Sequence, residues 1–405
     1  MIRFFDGYAS ERMEEVDDRK LKKPLVKSHL LEFLDRDHAG HTGNLMRPFE
    51  RHAINLRPLE EGLFLVADEQ IGDVGFLEIL THRILALYSP RKREELDPWI
   101  RRLVSETNEI DHVWLSGHTF TVLWKLVVRL SKPNRFSRLV FTHESIFDID
   151  SCPEWSKEDD EGETPDTDQD ADVEEIVERR ATKFHLVDRV GVIDQKLSQL
   201  QNLYSPLYAI SQLRFPSPVG RGGHDFYDNG KVTNRSESFR DHRAHLLFVV
   251  RIYEQLLEST EKITWYSVRE SVGLPGQFRK VVGAPVIIRF REPLSPQTFD
   301  SFVQSTFQRK RNKFRLWGHP IRLGATKVHV YGVDRHLWQP LFLELTDRGC
   351  VAVIPNGTCG NTVHRLVTNV QRYLDPGAEA SIGDRAYQQV VEASAQGVQY
   401  EPGRY

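Results

Sequence analysis

The chain has 405 residues, of which 40% are hydrophobic and 28% charged, which are globular proportions with room for two or three domains. Its three cysteines are too few for a disulfide framework, so we expect a reducing, cytoplasmic location. No apolar stretch approaches the ~18 residues of a transmembrane helix, so no membrane association is predicted.

The net charge of −4 is unevenly distributed along the chain. Residues 158–178 contain 12 Asp or Glu and no Lys or Arg, which leaves 46 acidic against 54 basic residues elsewhere. Such a composition cannot bury enough apolar area to fold, so residues 151–182 are predicted to form an acidic, disordered linker. The remaining +8 is a hint of an anionic partner, with DNA and RNA as the candidates.

Residues 1–150 alternate between strand and helix patterns. Apolar strand-like runs at 76–88, 112–116 and 138–142 are separated by helical spacing at 91–108 and 119–130. Strand, helix, strand, helix and strand in this order are typical of βαβ units around a parallel sheet. The sequence therefore predicts an α/β N-terminal domain.

Residues 183–275 show helical spacing on both sides of a Gly-rich stretch. Apolar residues recur at alternating steps of four and three at Leu186, Val190, Ile193, Leu197, Leu200, Tyr204 and Leu207. This heptad seam and a second helix at 241–260 predict a helical hairpin joined by a long loop. A second copy of the chain would also satisfy the seam, which makes a homodimer through residues 186–207 the alternative.

Residues 276–405 are predicted to form an α+β domain. A strand at 286–290 precedes a helix at 297–309, strands follow near 326–333, 341–346 and 349–354, and a helix closes the series at 361–374. The order strand, helix, several strands, helix resembles the repeat of TATA-binding-protein-like domains. The resemblance is topological and carries no function with it.

A short motif opens the second middle helix. The segment from Arg240 to His245, RDHRAH, is similar to the R-x(4–6)-H motif of HEPN-family ribonucleases. The resemblance implies metal-independent RNA cleavage, in which Arg240 stabilises the phosphate and His245 acts on the 2′-hydroxyl. Asp241 is a plausible N-cap, which would place Arg240 in the preceding turn. The alternative interpretation is a set of solvated polar residues on a first helical turn.

A basic segment follows the helix at 297–309. The residues that would bind nucleic acid there are Arg309, Lys310, Arg311, Lys313, Arg315 and Trp317. Cations next to an aromatic ring suit phosphate contacts combined with base stacking. A solvated helix end is the alternative, because cations also favour helix C-termini.

Polar residues follow two of the predicted parallel strands. Ser116 and His118 follow the first, and His143 and Glu144 follow the second, so a parallel sheet would gather them in one crevice. Ordinary loop polarity explains them equally well.

Three loops are further candidate sites. Residues 220–225 are rich in glycine and could approach a phosphate, or serve only as a connector. Residues 356–360 could hold an anion or form a plain turn. The dense carboxylates and imidazoles Asp35, Asp37, His38 and His41 match no metal-site template, so no metal or other cofactor is predicted.

Together these observations predict a non-enzymatic protein that binds nucleic acid or another partner. The alternative is a metal-independent ribonuclease that uses Arg240 and His245.

Overall fold

The structure is a computed structural model that describes residues 1–18, 22–34, 45–147, 181–218, 220–271, 278–307 and 312–400. Its helices are α1 (Ile2–Asp17), α2 (Met46–Glu50), α3 (Arg93–Glu106), α4 (Gly117–Leu130), α5 (Val190–Leu203), α6 (Phe239–Thr264), α7 (Pro296–Phe307), α8 (Asn361–Tyr373) and α9 (Tyr387–Ala395). A short 3₁₀ helix lies at Ser205–Tyr208.

The strands of the first half are β1 (Lys27–Phe33), β2 (Ile54–Glu60), β3 (Leu63–Asp68), β4 (Gly72–Ile79), β5 (Ile84–Ser89), β6 (Ile110–His112), β7 (Phe136–Glu144), β8 (Ala181–Arg189), β9 (Ile210–Pro216), β10 (Gly223–Tyr227) and β11 (Lys231–Asn234). Those of the second half are β12 (Ser267–Ser271), β13 (Phe278–Val282), β14 (Val286–Arg289), β15 (Leu316–Gly324), β16 (Lys327–Asp334), β17 (Gln339–Thr346), β18 (Gly349–Val353), β19 (Glu379–Ile382) and β20 (Arg385–Ala386).

The described strands form one large, one medium and one small sheet. The first has the order β2-β3-β4-β5-β1-β11-β10-β9-β7-β8, with β6 also paired to β1. The second has the order β15-β16-β17-β18-β14-β19-β20, and β12 with β13 forms a separate hairpin. All pairings between these named strands are antiparallel, and the N-terminal strand β1 lies inside the large sheet between β5 and β11.

The prediction of an N-terminal α/β domain with βαβ units is therefore wrong. Residues 76–88 contain the end of β4 and all but the last residue of β5, and a tight turn joins the two strands, which pair antiparallel. Strand β6 pairs antiparallel with β1, and β7 pairs antiparallel with β8 and β9. Helices α3 and α4 do lie where helical spacing predicts them, but apolar periodicity carries no information on strand direction.

The predicted helical hairpin is also wrong. Leu186 lies in β8, helix α5 covers only the middle of the heptad seam, and the strands β9, β10 and β11 stand between α5 and α6. The C-terminal end of the seam is exposed at Leu203 and Tyr204. The continuous helical seam over residues 186–207, through which a homodimer was the alternative, therefore does not form.

Helix α5 is nevertheless anchored by buried side chains, and this leads to a stability prediction. Leu197 is buried in the main core together with Val190 and Ile193, whereas Leu203 of the same helix is 81% exposed. We expect Leu197→Asp to lower the free energy of unfolding by about 3 kcal/mol or more, because it buries an unpaired charge. Leu203→Asp is the matched control and should change it by less than about 0.5 kcal/mol. Equal denaturation midpoints for the two variants would contradict the prediction.

The C-terminal half has strand β14, helix α7, the four strands β15 to β18 and helix α8 in that order. Along β16 the side chains alternate, so that Val328 and Val330 are buried while Tyr331 is exposed. The buried side joins α7 in the core, where Phe299 and Phe302 belong to the same hydrophobic cluster. The opposite side of this sheet carries exposed side chains.

Buried side chains of the two halves pack together. The main hydrophobic cluster contains residues from Phe5 to Ala395, and a second cluster lies between α3 and the strands β2 to β5. The predicted linker 151–182 falls almost entirely on residues 148–180, outside the described part, so the domain division stays a prediction. Among the described helices, none combines the length and apolar character that crossing a bilayer requires.

Candidate functional site

Charged side chains converge in the interior between the two halves. Glu32 of β1 accepts hydrogen bonds from Arg83, with distances of 2.5 Å from Nη2 and 3.2 Å from Nε to Oε1. The guanidinium of Arg83 also contacts both carboxylate oxygens of Glu261 in α6, at 3.0 and 2.9 Å. Glu261 in turn accepts the backbone N–H of Gly360 at 2.9 Å, next to the start of α8.

Two further side chains contact the same carboxylate of Glu32. The Sγ atom of Cys359 lies 3.2 and 3.1 Å from Oε1 and Oε2, and Nε2 of His336 lies 3.5 Å from Oε2. The Nδ1 atom of His336 is 2.8 Å from the carbonyl oxygen of Asn108. We call Glu32, Arg83, Glu261, His336 and Cys359 the buried polar centre.

A second ion-pair group lies beside this centre. Arg365 of α8 pairs with Asp111 and with Asp334, and Arg315 pairs with Asp111 at 3.0 Å. Asp334 also accepts a hydrogen bond from Thr362. Arg365 is 1% exposed and both aspartates are fully buried, so the charges compensate one another without help from water.

Burial and neighbouring charges set the ionisation of the buried polar centre. Burial acts to raise the pKa of Glu32, but the positive Arg83 together with the contacts of His336 and Cys359 outweighs it and brings the pKa to about 2. Burial together with the Glu32 charge raises the pKa of the Cys359 thiol well above its usual range. In the metal-free protein the thiol therefore stays protonated, and its S–H donates a hydrogen bond to the Glu32 carboxylate.

The centre also contains the atoms of a candidate metal site. Ligand atoms of Glu32, His336 and Cys359 all lie within 4.8 Å of one another, and all three residues are buried. Backbone conformation contributes to the position of His336, since the next two residues, Leu337 and Trp338, have φ angles of 63° and 49°. These left-handed values are unusual for bulky residues and hold the turn between β16 and β17 in a strained form.

The exposed side of the seven-stranded sheet is a second candidate site. Trp317 on β15 is 53% exposed and Tyr331 on β16 is 68% exposed. The ring of Tyr331 lies 5.1 Å from that of Phe342 on β17, with an interplanar angle of 60°. Ile321 and Leu323 continue the exposed row along β15. We call Trp317, Ile321, Leu323, Tyr331 and Phe342 the aromatic face.

The structure does not bring Arg240 and His245 together. Ser238 is the N-cap of α6 and accepts from the backbone N–H of Asp241, so the predicted Asp241 cap is wrong and Arg240 lies inside the first turn. Arg240 is exposed, whereas His245 is buried with its Nδ1 2.6 Å from Nδ1 of His224. Burial lowers the pKa of His245 to about 3. The ribonuclease hypothesis stays a prediction without an assembled site.

The described residues among those predicted to bind nucleic acid do not share one surface. Arg309, Lys310 and Arg311 lie outside the described residues. Lys313 is half-buried, and Arg315 is buried, where it donates to the carbonyl oxygen of Ile110 at 2.9 Å besides pairing with Asp111. Trp317 is exposed on the aromatic face.

The four residues of the predicted crevice lie near the end of α8 instead of at the ends of parallel strands. Ser116 is the buried N-cap of α4, and the ring of His118 packs edge-on against Tyr387. His143 contacts the carbonyl oxygen of Arg372 at 3.1 Å, and Glu144 forms an ion pair with the Arg372 side chain at 2.5 Å. The contacts of His143 and Glu144 hold α8 against strand β7 of the large sheet.

The remaining predicted loops have different outcomes. Residues 35–41 lie outside the described part of the chain. Residues 220–225 include the first three residues of β10. The turn at 356–360 places Cys359 and Gly360 at the buried polar centre.

Sequence reasoning missed most of the buried polar centre. Its members Glu32, Arg83, Glu261, His336 and Cys359, and Arg365 beside them, stand far apart in the chain, and no short motif contains two of them. The available signal was a single charge inside an apolar run, as for Glu32 in HLLEFL and Arg365 in VHRLV. Such charges are rarely buried unless they are paired, so they point to partners elsewhere in the fold.

Comparison with known proteins adds a family. The family described as MJECL33-like protein matches residues 3–389. The chain is 25% identical over 387 residues to a protein of Methanocaldococcus jannaschii named "Uncharacterized protein MJECL33", covering 89% of this chain and 87% of the other. No solved structure matches.

Proposed function

The chain belongs to the MJECL33-like protein family, and from its own geometry we propose that it binds single-stranded nucleic acid, without cleaving it, on the aromatic face. The observation that carries the proposal is the exposure of aromatic rings on neighbouring strands of one sheet. Large apolar side chains in such a row are unusual on a surface that faces only water.

The spacing of the rings suits stacked bases. His319 is the direct cross-strand neighbour of Tyr331, and Tyr331 is that of Phe342, so Trp317 and Tyr331 are diagonal neighbours. Side chains in that relation are about 7–8 Å apart, within reach of successive bases of an extended strand. Rings can stack on the faces of unpaired bases, which a duplex keeps inside its own stack. The aromatic face therefore favours single strands over duplexes.

Charge around the aromatic face supports the same ligand. The sequence segment 309–348, which contains β15 and β16, has nine Lys or Arg against three Asp or Glu, whereas the whole chain has a net charge of −4. Of the nine, Arg315 is buried and does not contribute to the surface. Lys327 is on the same face of the sheet as Tyr331 and pairs with Glu344 at 2.9 Å, in an ion pair that is partly exposed to solvent. An exposed pair of this kind contributes little to stability, so the lysine can exchange to a phosphate oxygen.

The proposal predicts a loss of binding when the rings are removed. We expect Trp317→Ala with Tyr331→Ala to weaken binding of a fluorescent single-stranded oligonucleotide by about 30-fold or more, because each stacked base contributes about 1–3 kcal/mol. Phe136→Ala is the matched control, since Phe136 is 61% exposed on β7, which belongs to the large sheet and not to the sheet that carries the aromatic face. Fluorescence anisotropy over a range of salt concentrations measures both variants.

The basic segment gives the second arm of the same experiment. Reversing Arg309, Lys310 and Arg311 to Glu should weaken binding of all sequences and flatten its salt dependence, because fewer phosphate contacts release fewer counterions. Wild-type protein that binds neither RNA nor DNA strands in low salt would contradict the proposal and leave the aromatic face to a protein partner.

A further inference from the structure

Three potential metal ligands of different chemistry meet in the buried polar centre. From their geometry we propose that Glu32, His336 and Cys359 bind a zinc ion, with an open fourth position, in the interior of the protein. This site is independent of the aromatic face and of any nucleic acid.

The ligand atoms are already close to the spacing of a zinc site. Oε2 of Glu32 is 3.5 Å from Nε2 of His336 and 3.1 Å from Sγ of Cys359. Tetrahedral zinc with typical bond lengths places such atoms roughly 3.3–3.6 Å apart. Arg83 donates to Oε1 of the same carboxylate, so Oε2 is the oxygen left to face the other two ligands. Small shifts of side chains would complete the three bonds.

The imidazole of His336 is oriented as a ligand. Its Nδ1 faces the carbonyl oxygen of Asn108, which can only accept, so the ring proton is on Nδ1. In the neutral ring Nε2 then presents a lone pair to the Glu32 carboxylate. Nε2 is buried and has no hydrogen-bond partner among the described residues. A ring N–H bonded to a carbonyl is the common support of metal-binding histidine.

The charge of the centre matches a divalent ion. Glu32 and Glu261 contribute two negative charges and Arg83 one positive charge, while the neighbouring Asp111, Asp334, Arg315 and Arg365 cancel one another. With His336 neutral, as a metal ligand must be, one negative charge remains in the interior. When zinc binds, the Cys359 thiol releases its proton to solvent and the thiolate sulfur forms the metal bond. The added ion then brings the centre to neutrality.

Neighbouring N–H donors would stabilise the negative charge of the Cys359 thiolate. The backbone N–H of Asn361 lies 3.4 Å from Sγ of Cys359, and Nη2 of Arg83 lies 3.3 Å from it. The backbone N–H of Cys359 itself donates to Gln339 at 2.7 Å, which fixes the position of the residue. A set of one thiolate, one imidazole and one carboxylate favours zinc over calcium or magnesium, which prefer oxygen ligands alone.

The test measures metal bound by the full chain. Protein unfolded with a chelator and refolded with zinc should contain about one zinc per chain after desalting, measured by mass spectrometry. Refolding with Co²⁺ should give a thiolate-to-cobalt charge-transfer band in the near ultraviolet. Cys359→Ser should lose the band, whereas Cys350→Ser should keep it. Cys350 is also buried, on β18, so it is a matched control for the same substitution.

A further variant guards against misfolding of Cys359→Ser. The combined substitution Cys152→Ser with Cys350→Ser leaves Cys359 as the single thiol, so its cobalt band must equal that of the wild type. His336→Ala and Glu32→Gln should each reduce the bound zinc at least about tenfold at limiting metal concentration. Folded wild-type protein without zinc, or a missing band in the single-thiol variant, would overturn the proposal. Failure of nucleic-acid binding would not affect it.

Discussion

Arg365→Met is expected to lower the free energy of unfolding by about 3–5 kcal/mol, because it leaves two buried carboxylates without their shared cation. Asp111 and Asp334 are fully buried and both pair with Arg365. Methionine keeps much of the side-chain volume, so the effect reports the missing charge more than a cavity. Denaturant unfolding followed by circular dichroism measures the change.

The matched control is another arginine–aspartate pair. Arg322 pairs with Asp300, but their side chains are 47% and 48% exposed. We expect Arg322→Met to change the free energy of unfolding by less than about 1 kcal/mol, because water solvates the remaining carboxylate. A small effect of Arg365→Met, no larger than that of the control, would show that the buried ion pairs are not formed as described.

Acidification below pH 6.5 is expected to destabilise the protein steeply. Burial lowers the pKa of several histidines to about 3 or 4, namely His29, His112, His242, His245 and His364. Above pH 6.5 these groups are neutral in the folded and the unfolded chain alike. Below pH 6.5 these histidines take up protons in the unfolded chain but stay neutral in the folded chain. The free energy of unfolding therefore decreases as the pH falls from about 6.5 towards 3.

The expected loss of stability at low pH is large because the five buried histidines contribute together. At pH 5 each such histidine costs about 2 kcal/mol of stability, and a domain has only about 5–15 kcal/mol in all. Unfolding titrations between pH 7 and 4.5 measure the slope. His242→Gln retains a partner for Ser28, which lies 2.7 Å from Nε2, and should make the slope shallower by about one proton. His82→Gln, at an exposed position, is the control. A flat profile between pH 6.5 and 5 would refute the expectation.

Helices α3, α4, α6, α7 and α8 were the predictable part of the fold, whereas α1 and α9 were not predicted. The apolar spacing of Leu96, Trp99, Ile100, Leu103 and Val104 places one face of α3 in the core, and all five are buried. Strand directions were not predictable, because they depend on which distant partner each strand finds. A short polar turn at Thr81–Arg83 reverses the chain between β4 and β5, although it has no Gly or Asn to mark it.

Two local signals were misread for physical reasons. The segment 181–189 fits a heptad step at Leu186, but its side chains alternate between exposed and half-buried, as in a strand at the edge of a sheet. The Gly-rich stretch contains Asp228-Asn229-Gly230 between the two short strands β10 and β11, where it forms a hairpin turn. Gly230 has φ of 72°, and a Cβ there would lie 2.8 Å from the carbonyl oxygen of Leu30.

The buried polar centre could not be predicted because its members meet only in the folded chain. Cys359 was noticed only as part of a polar turn, and His336 lies in an unremarkable stretch. Their significance depends on Glu32, which is more than 300 positions away, and on a strained turn that no propensity scale anticipates.

The same separation along the chain determines when the interior can be completed during synthesis. A ribosome that has released residues up to about 300 has supplied Glu32, Arg83 and Glu261, but neither His336 nor Cys359 nor Arg365. Asp111 would then have no cation in place, because both of its arginine partners come later. Contacts so distant in sequence form slowly. The N-terminal half is therefore expected to remain loosely packed, and accessible to chaperones, until α8 has been synthesised.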